Sequence, residues 1–455
     1  MFKSLTIFKN QKLRKNIVSI AIPIAMQNLI TFLAGLMDTL MLGQVGEVEL
    51  SAATIANQYS MLLMGLSFGI ASGTNVLLAQ YWGKQDKKSM HSILAIAYHL
   101  TVIVAAIFFI PALFFPELVM KIFTNDIDVI ANGAVFLRYV SFSYIATALS
   151  NVILMTLRSV GTVKISIYVY LNSLVMNTFL NWVFIFGHLG SQPLGVKGAA
   201  IATTITRIFE FLLSVTFMFG GFEKRLQLKI RHLYKFDISF FKDMSKVVLP
   251  VILNEFLWSA GNSGLMMVMG RMSRAFVTAT SITNVTVQLA QIITIGISNA
   301  CAIMIGNIIG EEKYDYAKEF ANGMFVLSIF LGILSGLVIF AIRPIVLALY
   351  NITPETYEIA MAVLGSAAIV VFCQTQAIMH MMGILRGGGD IHFVLICDII
   401  FLWLCALPLG AIAGLYFKLP PHIVFLILKC DELLKIIFST FRIKSGSWVK
   451  NLTRT

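Results

Sequence analysis

The chain has 455 residues, of which 58% are hydrophobic and only 12% charged, and its mean hydropathy is +0.85. Soluble domains carry about 25% charged residues, so this composition excludes a water-facing globular protein and describes a polytopic membrane protein. The net charge of +12 would suit nucleic acid only if it were clustered on one solvated face, and it is instead spread over short loops.

The opening "MFKSLTIFKNQKLRKN" is basic, and no small-residue cleavage site follows a short apolar core. Residues 1–15 therefore read as a cytoplasmic tail rather than a removable signal. No alternating ten-residue pattern of a membrane barrel is present, so the spans are helical. Segments long enough to cross, about 20 residues each, fall at about 16–43, 51–80, 93–115, 130–157, 165–187 and 196–220. The basic link "GFEKRLQLKIRHLYKFDISFFKDMSK" follows, and then six more segments at about 245–269, 277–307, 319–342, 356–384, 391–414 and 420–440. The expected organisation is an N-terminal six-helix bundle at 16–221, a cytoplasmic linker at 222–244, a C-terminal bundle at 245–440 and a cytoplasmic tail at 441–455.

With both termini placed inside, most of the 34 lysines and arginines fall in the inside segments. The basic excess is then a topology signal that meets anionic lipid, not DNA. Arg158 and Arg386, just past the fourth and tenth spans, read as topology anchors of this kind. The five cysteines (Cys301, Cys373, Cys397, Cys405 and Cys430) stand singly in apolar segments, with no CxxC spacing to suggest a disulfide framework or zinc site.

The two halves repeat. Moving the second half back by 227 residues sets Pro250 on Pro23, Gly270 on Gly43, Asn284 on Asn57, Gly296 on Gly69 and Gly310 on Gly83. Near the end of each half, "LRSVG" (157–161) meets "LRGGG" (385–389). Chance apolar similarity does not keep prolines and glycines in register over such a distance. The fold class implied is an all-α membrane protein of twelve transmembrane helices, in two six-helix bundles related by a pseudo-twofold axis along the membrane normal. Parallel repeats of this kind are a transporter plan.

Intramembrane polar residues are the candidates for function, because a charge at mid-bilayer costs about 2.5–3.5 kcal/mol on insertion scales. Glu255, in "PVILNEFLWSAGN", lies inside the seventh span, with Ser259 and Asn262 on the same helical face. Its carboxyl could take a proton or offer oxygens to sodium, or simply hydrogen-bond between helices. Asn28 is its repeat equivalent. Asp38 shares a face of the first span with Gln27 and Thr31, and Ser173, Asn177 and Asn181 form a stripe in the fifth that could complete a cation site with it. Helix-to-helix hydrogen bonding would explain those amides as well. Dropping seven residues from the second half sets Asp398 opposite Asn177, which makes Asp398 the second bundle's counterpart near Glu255, or else a partner of Arg386. Arg207 and Glu210, three apart, neutralise each other. Asn284, Gln288, Gln291 and Gln374 are candidate cavity-lining amides.

The stretches "MDTLMLGQVGEVELSAATIANQ", "ASGTNVLLAQYWGKQDKKSM", "ILRGGGD" and "LPVILNEFLWSAGN" resemble the multidrug and toxic compound extrusion (MATE) family, over nearly the whole chain. The resemblance implies a secondary antiporter that exports cationic or amphipathic organic compounds in exchange for Na+ or H+, through two bundles that alternate their access. It implies a functional acid at Asp38 and ion coupling at Glu255, with Na+ possible at either. It implies no cofactor beyond the coupling ion, and a monomer in the plasma membrane of a prokaryote with both termini cytoplasmic. Two departures stand out: Thr375 and Asn181 occupy positions where branches of the family carry acids. The rivals are a lipid-linked oligosaccharide flippase of the same superfamily and a membrane-embedded lipid-modifying enzyme. The first needs a cationic cavity, the second a clustered His/Asp or metal constellation that seven scattered histidines do not supply. No phosphate-binding Gly-Lys loop indicates ATP as the energy source.

Overall fold

A computed structural model describes residues 11–220, 225–234, 237–350 and 352–454. The expectation for most of the N-terminal tail and for parts of the basic link at 221–224 and 235–236 lies outside the described residues.

The described residues form helices joined by turns and short links, with a non-helical stretch at 446–454. The first half holds α1 (Gln11–Gly43), α2 (Glu47–Gly83), α3 (Lys87–Phe114), α4 (Pro116–Lys121), α5 (Ile127–Ser141), α6 (Tyr144–Ser159), α7 (Lys164–Phe186) and α8 (Gly195–Phe219). A single turn, α9 (Ile230–Leu233), lies in the basic link. The second half holds α10 (Ile238–Met272), α11 (Arg274–Gly310), α12 (Tyr314–Ala348) and α13 (Pro354–Ile378), which runs on as a π-helix through Arg386. After the "GGGD" turn come α14 (Ile391–Ile399), α15 (Leu407–Ala411) with π-helical turns on either side, α16 (Pro421–Leu428) and α17 (Cys430–Ser445).

The starts of these helices are written in the sequence. The side chain of Asp86 accepts from the Ser89 amide to cap α3, Asp126 caps α5, Ser273 caps α11, and Thr353 followed by Pro354 opens α13. Each of the twelve segments expected to span falls on helix. Among the described residues nine helices are long and apolar enough to cross a membrane, ten if α5 and α6, bent by 52°, form one span. The two that fall short are informative. Asn254, Glu255 and Asn262 interrupt the seventh, and the twelfth breaks at Lys429 and carries Asp431, Glu432 and Lys435.

The chain divides into two compact units whose boundaries fall inside α1, α2 and α10 and in the turn between α2 and α3. One unit holds the described residues up to Ala25, Ala79–Gln85 and those from Leu253 on; the other holds Met26–Leu78 and the described part of Asp86–Ile252. Pro23 and Pro250 sit just before the two crossing points, where a missing backbone hydrogen bond lets a helix change direction.

The repeated glycines mark close backbone approaches. A Cβ on Gly83 would lie 2.1 Å from the Asn307 carbonyl oxygen, and one on Gly310 would lie 1.9 Å from that of Gln80. Gln80 and Asn307 are themselves repeat equivalents, so the two contacts are the same contact made twice. Gly69 against Ile252 and Gly296 against Ala25 form a second such pair, one within each unit.

In the unit that holds the C-terminus, the last residues are part of the core. Trp448 is fully buried, with its ring against Gly388. The Lys450 amide donates to the Gly388 carbonyl at 2.9 Å, and the Leu452 amide donates to Gln80 Oε1 at 2.7 Å. Asp390, also fully buried, accepts from Arg442 at 2.6 Å and from Lys450.

Candidate functional site

The acidic residues singled out from the sequence lie in two separate clusters, one in each unit. The cluster around Glu255 is a chain of charge-assisted hydrogen bonds. Glu255 Oε1 accepts from Arg386 Nη1 at 2.7 Å, and Arg386 Nη2 donates to Asn254 Oδ1 at 2.7 Å. Asn254 then donates through Nδ2 to Asp398 Oδ2 at 2.7 Å. Asp398 Oδ1 pairs with Lys435 Nζ at 3.0 Å, and Lys435 pairs in turn with Asp431 Oδ2 at 2.9 Å.

Four helical segments build this chain. Adjacent positions on α10 supply Asn254 and Glu255, the π-helical end of α13 supplies Arg386, α14 supplies Asp398, and α17 supplies Asp431 and Lys435 one turn apart. Arg386 and Lys435 are 5% and 3% exposed, so both cations are held inside the protein. Such pairs survive burial only when geometry and secondary hydrogen bonds repay desolvation, and here an amide links the two pairs.

This corrects the reading of Arg386 as a topology anchor. The α13 segment runs on through a π-helical turn that carries the guanidinium into the unit's interior. Arg158, read in the same way, is also buried; it donates to Gln27 Oε1 and approaches Met155 Sδ at 3.4 Å. Asp398 lies next to Glu255 through Asn254, and its cation is Lys435 rather than Arg386. Asp431 and Lys435 were missed from the sequence, although their i, i+4 spacing in an apolar segment was a usable signal.

The cluster around Asp38 lines a cavity of about 490 Å³. Asp38 Oδ1 accepts from Asn181 Nδ2 at 2.6 Å, and the same amide donates to Asn177 Oδ1 at 3.2 Å. The α7 stripe thus meets α1 as its spacing suggests. Thr31, Asn57, Tyr144, Tyr170, Met61 and Met64 are also on the wall. Arg207 reaches the cavity too, but Glu210 pairs with it at 2.8 Å, and Ser173 donates to Glu210 at 3.1 Å. Asp38, by contrast, is held by an amide.

The other expected residues are dispersed. Ser259 is exposed, and Asn262 leaves the Glu255 group to accept from Lys429 Nζ at 3.2 Å. Gln291 donates to Gln374 at 2.8 Å, while Asn284 and Gln288 are exposed on α11. None of these last four lines the Asp38 cavity. Thr375 is buried, and its hydroxyl has no hydrogen-bond partner among the described residues.

Long apolar helices with charged networks in their interior define a multi-pass membrane protein, and the family match makes it a transporter. The chain belongs to the MatE family, whose pattern matches residues 23–183 and 250–412, one stretch in each repeat. It is 23% identical to the uncharacterized transporter YisQ of Bacillus subtilis over 459 residues, 99% of this chain and 98% of that one. It is 24% identical over 413 residues to the probable multidrug resistance protein NorM of Bacillus cereus, 90% of this chain and 89% of that one. A solved multidrug resistance MATE family transporter, in an outward-facing conformation, shares the fold with a TM-score of 0.86 at 17% identity, over 95% of this chain and 96% of the other.

Proposed function

We propose that this chain is a secondary multidrug exporter that expels cationic or amphipathic organic compounds in exchange for Na+ or H+. On this reading it works as a monomer in a prokaryotic plasma membrane with both termini in the cytoplasm. The observation that carries the reading is the largely buried chain Glu255–Arg386–Asn254–Asp398–Lys435 inside a transporter fold. Charges so costly to keep in oil mark an ion pathway by default. The relatives named multidrug resistance proteins support the export reading.

The Asp38 cavity supports the class of cargo. Its volume lies within the range of drug-sized sites. Two tyrosines and two methionines on its wall suit a flat apolar cation. Arg207 is neutralised by Glu210, so Asp38 is the carboxylate left to face the cargo. That argues against the pyrophosphate head of a lipid-linked oligosaccharide, which would need the opposite sign. Ion binding drives transport only if the ion binds one conformation more tightly than the other.

The test is ethidium transport into everted vesicles, with an imposed sodium gradient compared against a pH gradient, for the wild type and Glu255→Gln. Loss in the variant under one gradient identifies the coupling ion. Full transport by Glu255→Gln under both gradients removes the Glu255 network from the mechanism.

A further inference from the structure

The charges of the Glu255 network do not balance, and the imbalance has an address. Glu255 and Arg386 form one pair. Lys435 is shared between two carboxylates, Asp398 and Asp431, so this triad carries one negative charge in excess. Both oxygens of Asp398 are occupied, Oδ1 by Lys435 and Oδ2 by Asn254. Asp431 is 3% exposed, and its Oδ2 takes Lys435, but its Oδ1 is buried with no hydrogen-bond partner among the described residues. A buried carboxylate oxygen left bare beside an uncompensated charge is costly on both counts.

From this geometry we infer that Asp431 Oδ1 is the site that takes up the coupling proton, with Lys435 as the fixed counter-ion of the triad. The inference rests on the exporter reading and names its coupling ion. Uptake moves a proton from hydronium to Oδ1, releasing water and leaving Asp431 as the neutral acid. Lys435 keeps its three protons and its pairing with Asp398, so the triad passes from one negative charge to neutral. Sodium fits the same place poorly. The Lys435 ammonium already sits on the carboxyl that the ion would share, and both Asp398 oxygens are occupied.

Other titratable groups surround the triad. Glu432 and Lys429 flank Asp431 along the chain, and Cys397 precedes Asp398 on α14. His380, on the π-helical end of α13, bonds at 2.9 Å to Ser439, one turn further along α17, and stacks on Phe325. Glu255 and Arg386 close the network across Asn254. Glu432 is the one neighbouring acid that could mimic Asp431, and it makes the control.

The experiment uses the full chain in liposomes with ethidium as the probe. Uptake is driven by a pH gradient or by a sodium gradient, and gradient-free ethidium counterflow is measured alongside. Asp431→Asn is expected to lose pH-driven uptake by about tenfold or more while keeping counterflow, with Glu432→Gln keeping both and Asp431→Glu recovering part. Retained pH-driven uptake in Asp431→Asn, or a wild type driven by sodium alone, overturns the inference and leaves the exporter reading standing. Failure of the wild type under both gradients and in counterflow removes the exporter reading itself. A second readout needs no substrate and no active variant. The infrared band of a protonated carboxyl should appear on acidification of the wild type and be missing in folded Asp431→Asn. A band that persists in that variant overturns the assignment.

Discussion

Arg158 and Arg386 occupy equivalent places in the two repeats, and so do the amides they bind, Gln27 and Asn254. The next residue differs: Asn28 in the first half, Glu255 in the second. The charge of the clusters differs at this pair and again where Asp398 stands opposite Asn177. In the first half the partners of the guanidinium among the described residues, an amide oxygen and a thioether, are uncharged, and Asn28 keeps a buried, unpartnered Nδ2. In the second half the arginine meets a carboxylate, and Asn254 passes the interaction on to Asp398 and Lys435. Duplication supplied the same frame twice, and only one copy became an ion network. The other unit put its acid, Asp38, into a cavity wall.

The contrast can be broken most easily at the arginines. Arg386→Met strands Glu255 as an unpaired, partly buried carboxylate and should cost about 3 kcal/mol. Arg158→Met removes a buried cation with uncharged partners and should be neutral or stabilising. Thermal unfolding in detergent compares the two, and equal losses would mean that the clusters are energetically alike. Asn28→Glu asks the converse question. A carboxylate placed beside Arg158 should gain about 1.5–3 kcal/mol if the frames are interchangeable, read as a rise in melting temperature that Arg158→Met abolishes.

Asn254→Ala cuts the amide that joins the two ion pairs and should cost about 1–3 kcal/mol. Adding Asp398→Ala should then cost less than it does in the wild type, a non-additivity that a double-mutant cycle measures. The smallest difference between the repeats is expected where they are alike. Gly83→Ala and Gly310→Ala each push a methyl group into a neighbouring backbone, at a cost of about 1–3 kcal/mol. The two melting temperatures should fall together, because the two contacts are copies of one another.

Much of the architecture was legible before any coordinates. Hydropathy placed all twelve segments, and the register of Pro23 with Pro250 and Gly83 with Gly310 marked the duplication. Of the candidate site, Glu255, Asp38 and Asp398 stood out as acids inside apolar runs, and the α7 amides as a stripe at helical spacing. Their partners did not stand out. Arg386 looked like a loop anchor because a hydropathy count ends the span before it, while the π-helical turn carries it inward. Lys435 looked incidental in the weakest span, because nothing local says that it meets Asp398.

The sequence by itself determined that this chain lives in a membrane, crosses it as helices and is built twice over, since composition, span length and repeat register are properties of the chain read in order. Tertiary structure alone decided which charge meets which. Glu255 and Arg386 are 131 positions apart and Asn254 and Asp398 are 144, and side chains pair at hydrogen-bond distance only after helix packing has brought such distant positions together.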